Sequence, residues 1–253
     1  MTEQSPIGSV DKALLVLTEL SAAGPRGRSL ADLADAVSVS KSTLHRTLAA
    51  LRHRHFVAQD PVSGWYRLGT AAVDLGATFI EGDNLPALLH PMLESIRDAF
   101  DELCQLGVLD GTDIVYVDKA EPAHAIRVWS AVGRRIAAIT TALGRSLLAA
   151  GEVDRRLLGR LAPPARFTPE EVQRSWEAVV NARLDGYAVE RGESEPGIGC
   201  VAVALLRARR PVAAVSVTMP LERLEDQAPE LGRRLRQVVE AELPSSLTLP
   251  PTL

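Results

Sequence analysis

Apolar positions recur at three- and four-residue intervals in three separate runs over the first fifty residues. Val10, Ala13, Leu14, Leu17 and Leu20 form the first, opened by Ser9 as a cap and closed before Gly24-Pro25. Leu30, Leu33, Ala34 and Val37 form the second, begun by the capping-box pattern Ser29-Leu30-Ala31-Asp32. After a tight turn at Ser38-Val39, Ser40 caps a third run on Leu44, Leu48 and Leu51. On that third helix Lys41, Ser42, His45, Arg46 and Ala49 fill the rest of the cylinder, so one side anchors in a core while the other carries donors. The spacing then changes. Phe56 to Gln59 and Trp65 to Leu68 read as strands on either side of the turn Asp60-Pro61-Val62-Ser63-Gly64. Three helices and a hairpin make a winged helix-turn-helix, which presents the first residues of its last helix to base edges in the major groove. An ordinary helical hairpin with a solvated face is the competing reading of the helices alone.

Thr70 to Ile80 is apolar around much of its circumference, and such a helix needs cover on more than one side, from its own domain and from a second subunit. Gly82-Asp83-Asn84 closes it. The division read from this is a DNA-binding domain at 1–69, a linker helix at 70–82 and a larger domain at 83–253. The larger domain opens with an amphipathic helix from Leu85 to Phe100, followed by strands at Leu103 to Leu109 and Ile114 to Lys119 joined by Asp110-Gly111-Thr112-Asp113. Ala125 to Trp129 reads as another strand, and Thr140 to Ala150 and Val153 to Leu161 as helices. Thr168-Pro169-Glu170-Glu171 is a sharp helix start, with a run to about Leu184. Tyr187 to Glu190, Gly199 to Arg207 and Val212 to Thr218 read as strands, the last two antiparallel, and a helix from about Glu225 to Leu243 precedes a Pro-bearing tail expected to be loose. The fold class is α+β, with one antiparallel sheet and helices against it.

Charge sharpens the picture only locally. The whole chain of 253 residues carries a net charge of −4, which gives nucleic-acid binding no support. Residues 40–67, however, hold Lys41, Arg46, Arg52, Arg54 and Arg67 against Asp60 alone, with His45, His53 and His55 beside them. A basic island in an acidic chain is the footprint of a module that neutralises phosphates. Cys104 and Cys200 stand far apart with no metal-ligand spacing, so neither a zinc site nor a disulfide framework is indicated. No leader pattern opens the chain and no apolar run reaches membrane-spanning length, so a cytoplasmic protein with no membrane partner is expected.

Catalytic signatures are missing: there is no GxSxG, HExxH, P-loop or GxGxxG, and no cofactor is implied. A Cys200–His124 pair is the one nucleophilic reading, against the commoner role of a lone cysteine as a small hydrophobe. Ile139 to Arg145 begins a helix whose threonines cap it, and its exposed N–H groups suit an anionic ligand, or the threonines serve the cap alone.

Five segments in register carry a family resemblance: Lys41-Ser42-Thr43-Leu44-His45-Arg46, Trp65-Tyr66-Arg67-Leu68-Gly69, Thr141-Ala142-Leu143-Gly144-Arg145, Phe167-Thr168-Pro169, and the strands from Gly199-Cys200 to Ser216-Val217-Thr218. Together they resemble the isocitrate-lyase-regulator (IclR) family of bacterial transcription factors. The resemblance implies a winged-helix DNA domain, a dimerising linker helix, and a GAF-like C-terminal domain that binds a small effector, often an organic acid or aromatic metabolite, in a homodimer or tetramer. The residues assigned to DNA are Ser29, Lys41, Ser42, Thr43, His45, Arg46, Arg52 and Arg67. By motif position the effector cup takes Thr141, Ala142, Leu143, Glu190, Ile198, Cys200, Ser216 and Thr218. Leu143 and Glu190 depart from the smaller residue and the aspartate common in the family, so the effector's identity does not carry over. A small-molecule enzyme with an N-terminal interaction module, and a constitutive DNA-binding protein without a ligand, are the alternatives.

Overall fold

A computed structural model describes residues 8–75, 85–124, 128–151 and 153–252. Two compact units emerge, residues 1–84 and 85–253. In the first, α1 (Gly8–Ala23), α2 (Leu30–Ala36) and α3 (Lys41–His53) precede β1 (Val57–Gln59) and β2 (Tyr66–Leu68). The caps predicted at Ser29 and Ser40 are present, whereas Ser9, expected to cap the first helix, lies within α1. Ser29 accepts a hydrogen bond from the Asp32 N–H, and Ser40 accepts one from the Thr43 N–H. Between α2 and α3 the chain turns through Ser38 at φ 52°, a left-handed conformation in a helix-turn-helix corner. Leu33, Leu44, Leu48, Val16 and Leu20 are fully enclosed in the core of this unit, where a Leu→Ala truncation costs about 3 kcal/mol. The first helix does not bury its whole predicted stripe: Val16 and Leu20 point inward, while Val10, Leu14 and Leu15 stay exposed. Residues 70–75 are helical as expected, with Val73 and Leu75 exposed, and the remainder of the expected linker helix lies outside the described residues.

The second unit is built on a six-stranded antiparallel sheet in the order β5-β4-β3-β8-β7-β6. Its strands are β3 (Leu103–Asp110), β4 (Asp113–Ala120), β5 (Arg135–Ala137), β6 (Ala188–Arg191), β7 (Ile198–Arg207) and β8 (Arg210–Pro220). Alternation sorts the side chains onto two faces. Val201, Val203, Leu205, Val215 and Val217 pack with α4 (Leu85–Phe100) and α8 (Ala228–Glu242). On the other face Ala188, Ala202, Ala204 and Ala214 meet α5 (Ala142–Ala150) and α7 (Pro169–Asp185), and their small size lets those helices lie close against the strands. Between these two helices runs α6 (Arg155–Leu161), capped by Asp154. The start of α7 is the capping box read from Thr168 and Glu171, with both reciprocal bonds made.

Two expectations need correction. The run Ala125 to Trp129 lies partly outside the described residues, and its described end, Val128 and Trp129, is irregular. Trp129 is exposed beneath the Arg134 guanidinium, and the chain turns at Gly133 before pairing with β4 through Arg135–Ala137. The C-terminal tail is not loose either. Leu247 is buried, and Thr248 exchanges both backbone hydrogen bonds with Leu206 of β7.

Candidate functional site

Two sites take shape, one in each unit. On α3, Leu44 and Leu48 are buried, and Lys41, Ser42, His45 and Arg46 stand exposed on the opposite face, as their spacing requires. Thr43 is half-buried, its hydroxyl accepting a hydrogen bond from Ser40 at 3.0 Å. The wing behind the helix is braced from it. Arg52 donates to the Gln59 side chain at 2.8 Å, and Gln59 donates in turn to the Gly64 carbonyl at 2.9 Å. Asp60 caps the wing turn by accepting from the Val62 and Ser63 N–H groups and the Ser63 hydroxyl, bonds that hold its carboxyl below the ordinary range, with Arg67 adding charge attraction. Arg67 is exposed on β2. The hydroxyl of Ser29 is occupied within the protein, donating to the Asp32 carboxylate at 2.7 Å while capping α2.

The second site is a polar patch within the alanine-lined face of the large sheet. Register places Glu190 beside Cys200, Cys200 beside Thr218, and Ser216 beside Gln105, all projecting to the same side. A chain of contacts crosses the strands: the Cys200 thiol lies 3.1 Å from the Thr218 hydroxyl, which donates to the Gln105 carbonyl at 2.9 Å, and the Gln105 amide donates to Ser130 at 2.6 Å. Beside Gln105, burial pushes the Tyr116 phenol up to about 12. Glu190 is fully buried. One of its carboxyl oxygens accepts from the Glu193 and Ser194 N–H groups at 2.6 and 3.0 Å, whereas the other has no hydrogen-bond partner among the described residues. The Ser216 hydroxyl, also buried, has none either. Burial pushes the Glu190 carboxyl above the ordinary glutamate range against those two N–H bonds.

The helix start beside this patch is built tightly. Thr141 caps α5 by accepting the Gly144 N–H at 3.0 Å, and Ala142 and Leu143 are buried in the same cluster as Cys200 and Ala202. At Gly144 any Cβ would stand 2.0 Å from the Ala138 carbonyl oxygen, so this position admits only glycine. Leu143 in turn lies over Gly107, where a Cβ would come within 3.0 Å of its methyl carbon. Arg145, 3% exposed, donates to the carbonyls of Ile139 and Val189 and pairs with Glu193 at 3.1 Å, so one guanidinium ties α5 to β6 and to the loop that holds Glu190. For Glu193 burial alone would raise the carboxyl, but the Arg145 charge and the Arg191 N–H hold it lower.

Of the expected cup residues, the sheet brings Glu190, Cys200, Ser216 and Thr218 together, and Ile198, half-buried, begins the same strand as Cys200. The hydroxyl of Thr141 serves its helix. Gln105, Tyr116 and Arg145 were not anticipated, although a glutamine inside Leu103-Cys104-Gln105-Leu106 was the available sign. A Cys200–His124 pair does not form. His124 meets the Asp101 carbonyl at 3.0 Å, and burial pushes the Cys200 thiol far up, which keeps it protonated.

Comparison with known proteins decides the family. The "Bacterial transcriptional regulator IclR C-terminal" model matches residues 77–242, and the "IclR helix-turn-helix domain" model matches residues 9–61. This chain belongs to the IclR family. The regulator XynR of Escherichia coli is 32% identical over 96% of this chain and 97% of its own length. An IclR-family regulator from Alicyclobacillus acidocaldarius superposes with a TM-score of 0.72 at 26% identity, covering 94% of this chain and 96% of that one. An IclR homologue from Microbacterium hydrocarbonoxydans, solved with 4-hydroxybenzoate, shares the fold with a TM-score of 0.73 at 18% identity, covering 91% and 98% of the two chains. The IclR-family chain described above is thus a DNA-binding transcriptional regulator with a C-terminal effector-binding domain, which sets aside the enzyme reading. No helix among the described residues is long and apolar enough to cross a membrane.

Proposed function

We propose that this regulator reads its operator as a homodimer, through α3 and the wing, and is switched by a small hydroxylated or acidic metabolite seated against Glu190 and Ser216. The observation that carries the sensing half is the pair of buried oxygens without partners among the described residues, Glu190 Oε2 and Ser216 Oγ, facing one patch of sheet. A buried polar group without a partner costs roughly 1–3 kcal/mol, and a ligand that supplies the missing hydrogen bonds recovers it. A neutral Glu190 carboxyl donates to an acid or accepts from a hydroxyl, so the cup suits ligands bearing either group. Thr141, Ala142, Leu143, Ile198, Cys200 and Thr218 complete its wall.

On the DNA side Lys41, Ser42, Thr43, His45 and Arg46 meet base edges and phosphates, with Arg52, Arg67 and the Ser29 helix start holding the backbone. Exposed Val10, Leu14 and Leu15 on α1, with Val73 and Leu75, support pairing of two chains through these apolar surfaces. Two heads about 34 Å apart fit successive major grooves, and a change in spacing of that pair couples effector to operator by roughly 1–3 kcal/mol.

Mobility shift on DNA from upstream of the gene, with and without a panel of organic and aromatic acids, tests the whole reading. Retardation that one acid alters supports it, and an absence of binding at low salt overturns it. Thr43→Ala is expected to relax sequence preference across a randomised-site library, while Arg67→Ala weakens all sequences alike and lowers the salt slope by about one unit.

A further inference from the structure

On the same unit, at the end of the sheet where β7 turns into β8, an open cavity of about 920 Å³ has a basic wall. Arg183, Arg209, Arg210 and Arg236 line it, with Glu240 the one acidic residue in its lining among the described residues. Arg183 is fixed at and just beyond the end of α5, donating to the carbonyls of Ala149 at 3.2 Å and of Val153, with its guanidinium over the Trp176 ring. Arg236 donates to Gly186 at 3.2 Å and to Pro250 at 2.6 Å. These bonds orient the two groups without neutralising them. The side chains of Arg209 and Arg210 have no hydrogen-bonding or ionic partner among the described residues.

Arg209 sits in a two-residue hairpin turn, Ala208-Arg209, in which both φ values are positive, at 48° and 65°. Asparagine and glycine adopt that turn with less strain, yet an arginine holds the position beside the cavity. The far wall is the tail, through Leu249, Pro250 and Pro251, which lies beyond the residues matched by the family's C-terminal model. The cavity is also walled by Ser146 and Ala149 of α5, the helix whose first residues border the effector cup.

We infer that this arginine-walled cavity is a second ligand site, separate from the effector cup, for a small multivalent anion such as a polycarboxylate or a phosphorylated metabolite. Its volume falls in the range of small-molecule sites, and arginine forks match carboxylate and phosphate oxygens two at a time. Two guanidinium groups preset by carbonyls lose little freedom on binding, and the pair on the hairpin closes on the anion from outside. An occupant bridges α7, α8, the hairpin and the tail, and so stiffens the end of α5 opposite the cup.

Isothermal titration of the full-length protein with citrate, and separately with inorganic pyrophosphate, tests the inference and distinguishes the two chemistries. Saturable binding of either probe that weakens with added sodium chloride is expected. Arg209→Gln with Arg210→Gln, both exposed and without structural bonds, is expected to weaken it at least about tenfold, or about 1.4 kcal/mol, with the melting temperature unchanged. Arg236→Gln serves as the second variant, with circular dichroism to confirm its fold. Ser216→Val, in the cup, is expected to leave the same binding intact. The inference is overturned if the folded wild-type protein binds neither probe at low salt, or if binding persists unchanged in the double variant and in folded Arg236→Gln.

Discussion

Glu190 has one oxygen held by two backbone N–H groups and the other, buried, without a partner among the described residues, and its carboxyl is pushed up by burial. A raised value in the folded chain means that folding favours the protonated form. The resulting stabilisation is fully present below the ordinary glutamate range, near pH ~4.3, and is lost as pH climbs through the raised value. Glu193, Arg145 and Cys200 face the same carboxyl and shape that window. Glu190→Gln is expected to keep the fold and flatten the fall in melting temperature as pH rises from 4 to 8 (~4 units wide). An identical slope in the variant refutes the assignment. The exposed face of α3 was legible from spacing, because Leu44 and Leu48 fix which side of the helix turns inward. Gln105 and Tyr116 were not, because their partners arrive from elsewhere in the chain: Thr218, which Gln105 meets, lies 113 positions away. Period-two alternation assigns such a residue to a face but does not say what lies across from it.

Elements with local signatures were read well. The capping box at Thr168 and Glu171 and the caps at Ser29 and Ser40 are sequence signals whose whole chemistry lies within four residues. The first and last form as read, while at Ser29 the side chain caps the helix and its hydroxyl, in place of the backbone N–H of a capping box, donates to Asp32. Strand β5 escaped because Arg135–Ala137 is too short to show a period, whereas the apolar Val128-Trp129 belongs to an irregular segment. The β7–β8 hairpin was placed correctly, but its turn chemistry was not visible. Nothing in Ala208-Arg209 advertises two left-handed residues. Ala208→Asn is expected to relieve part of that strain, raising stability by about 0.5–1 kcal/mol and the melting temperature by about 1–4 °C, while anion binding to the neighbouring arginines is retained. Calorimetry of the two proteins at one pH checks it, and a lower midpoint in the variant contradicts it.

Across the whole molecule, each unit has its own enclosed core: Leu33, Leu44 and Leu48 in one, and the two faces of the sheet in the other. In the sequence the division is suggested by Gly82-Asp83-Asn84, which closes the expected linker helix, and the two compact units divide between residues 84 and 85. Residues 85–253 expressed alone are therefore expected to fold with a cooperative melt and to bind the same effector as the full chain, without affinity for DNA. A chain that is unfolded by circular dichroism refutes this separation. The opposite end of that unit has its own protection. Strand β6 is four residues long and covers β7 only as far as Ala202, and past that point Thr248 occupies the margin that Leu206 would otherwise present. Bare strand margins recruit strands from other molecules. The last residues thus act as a selvedge on the sheet, and a protein trimmed before Leu247 exchanges a sealed border for an adhesive one.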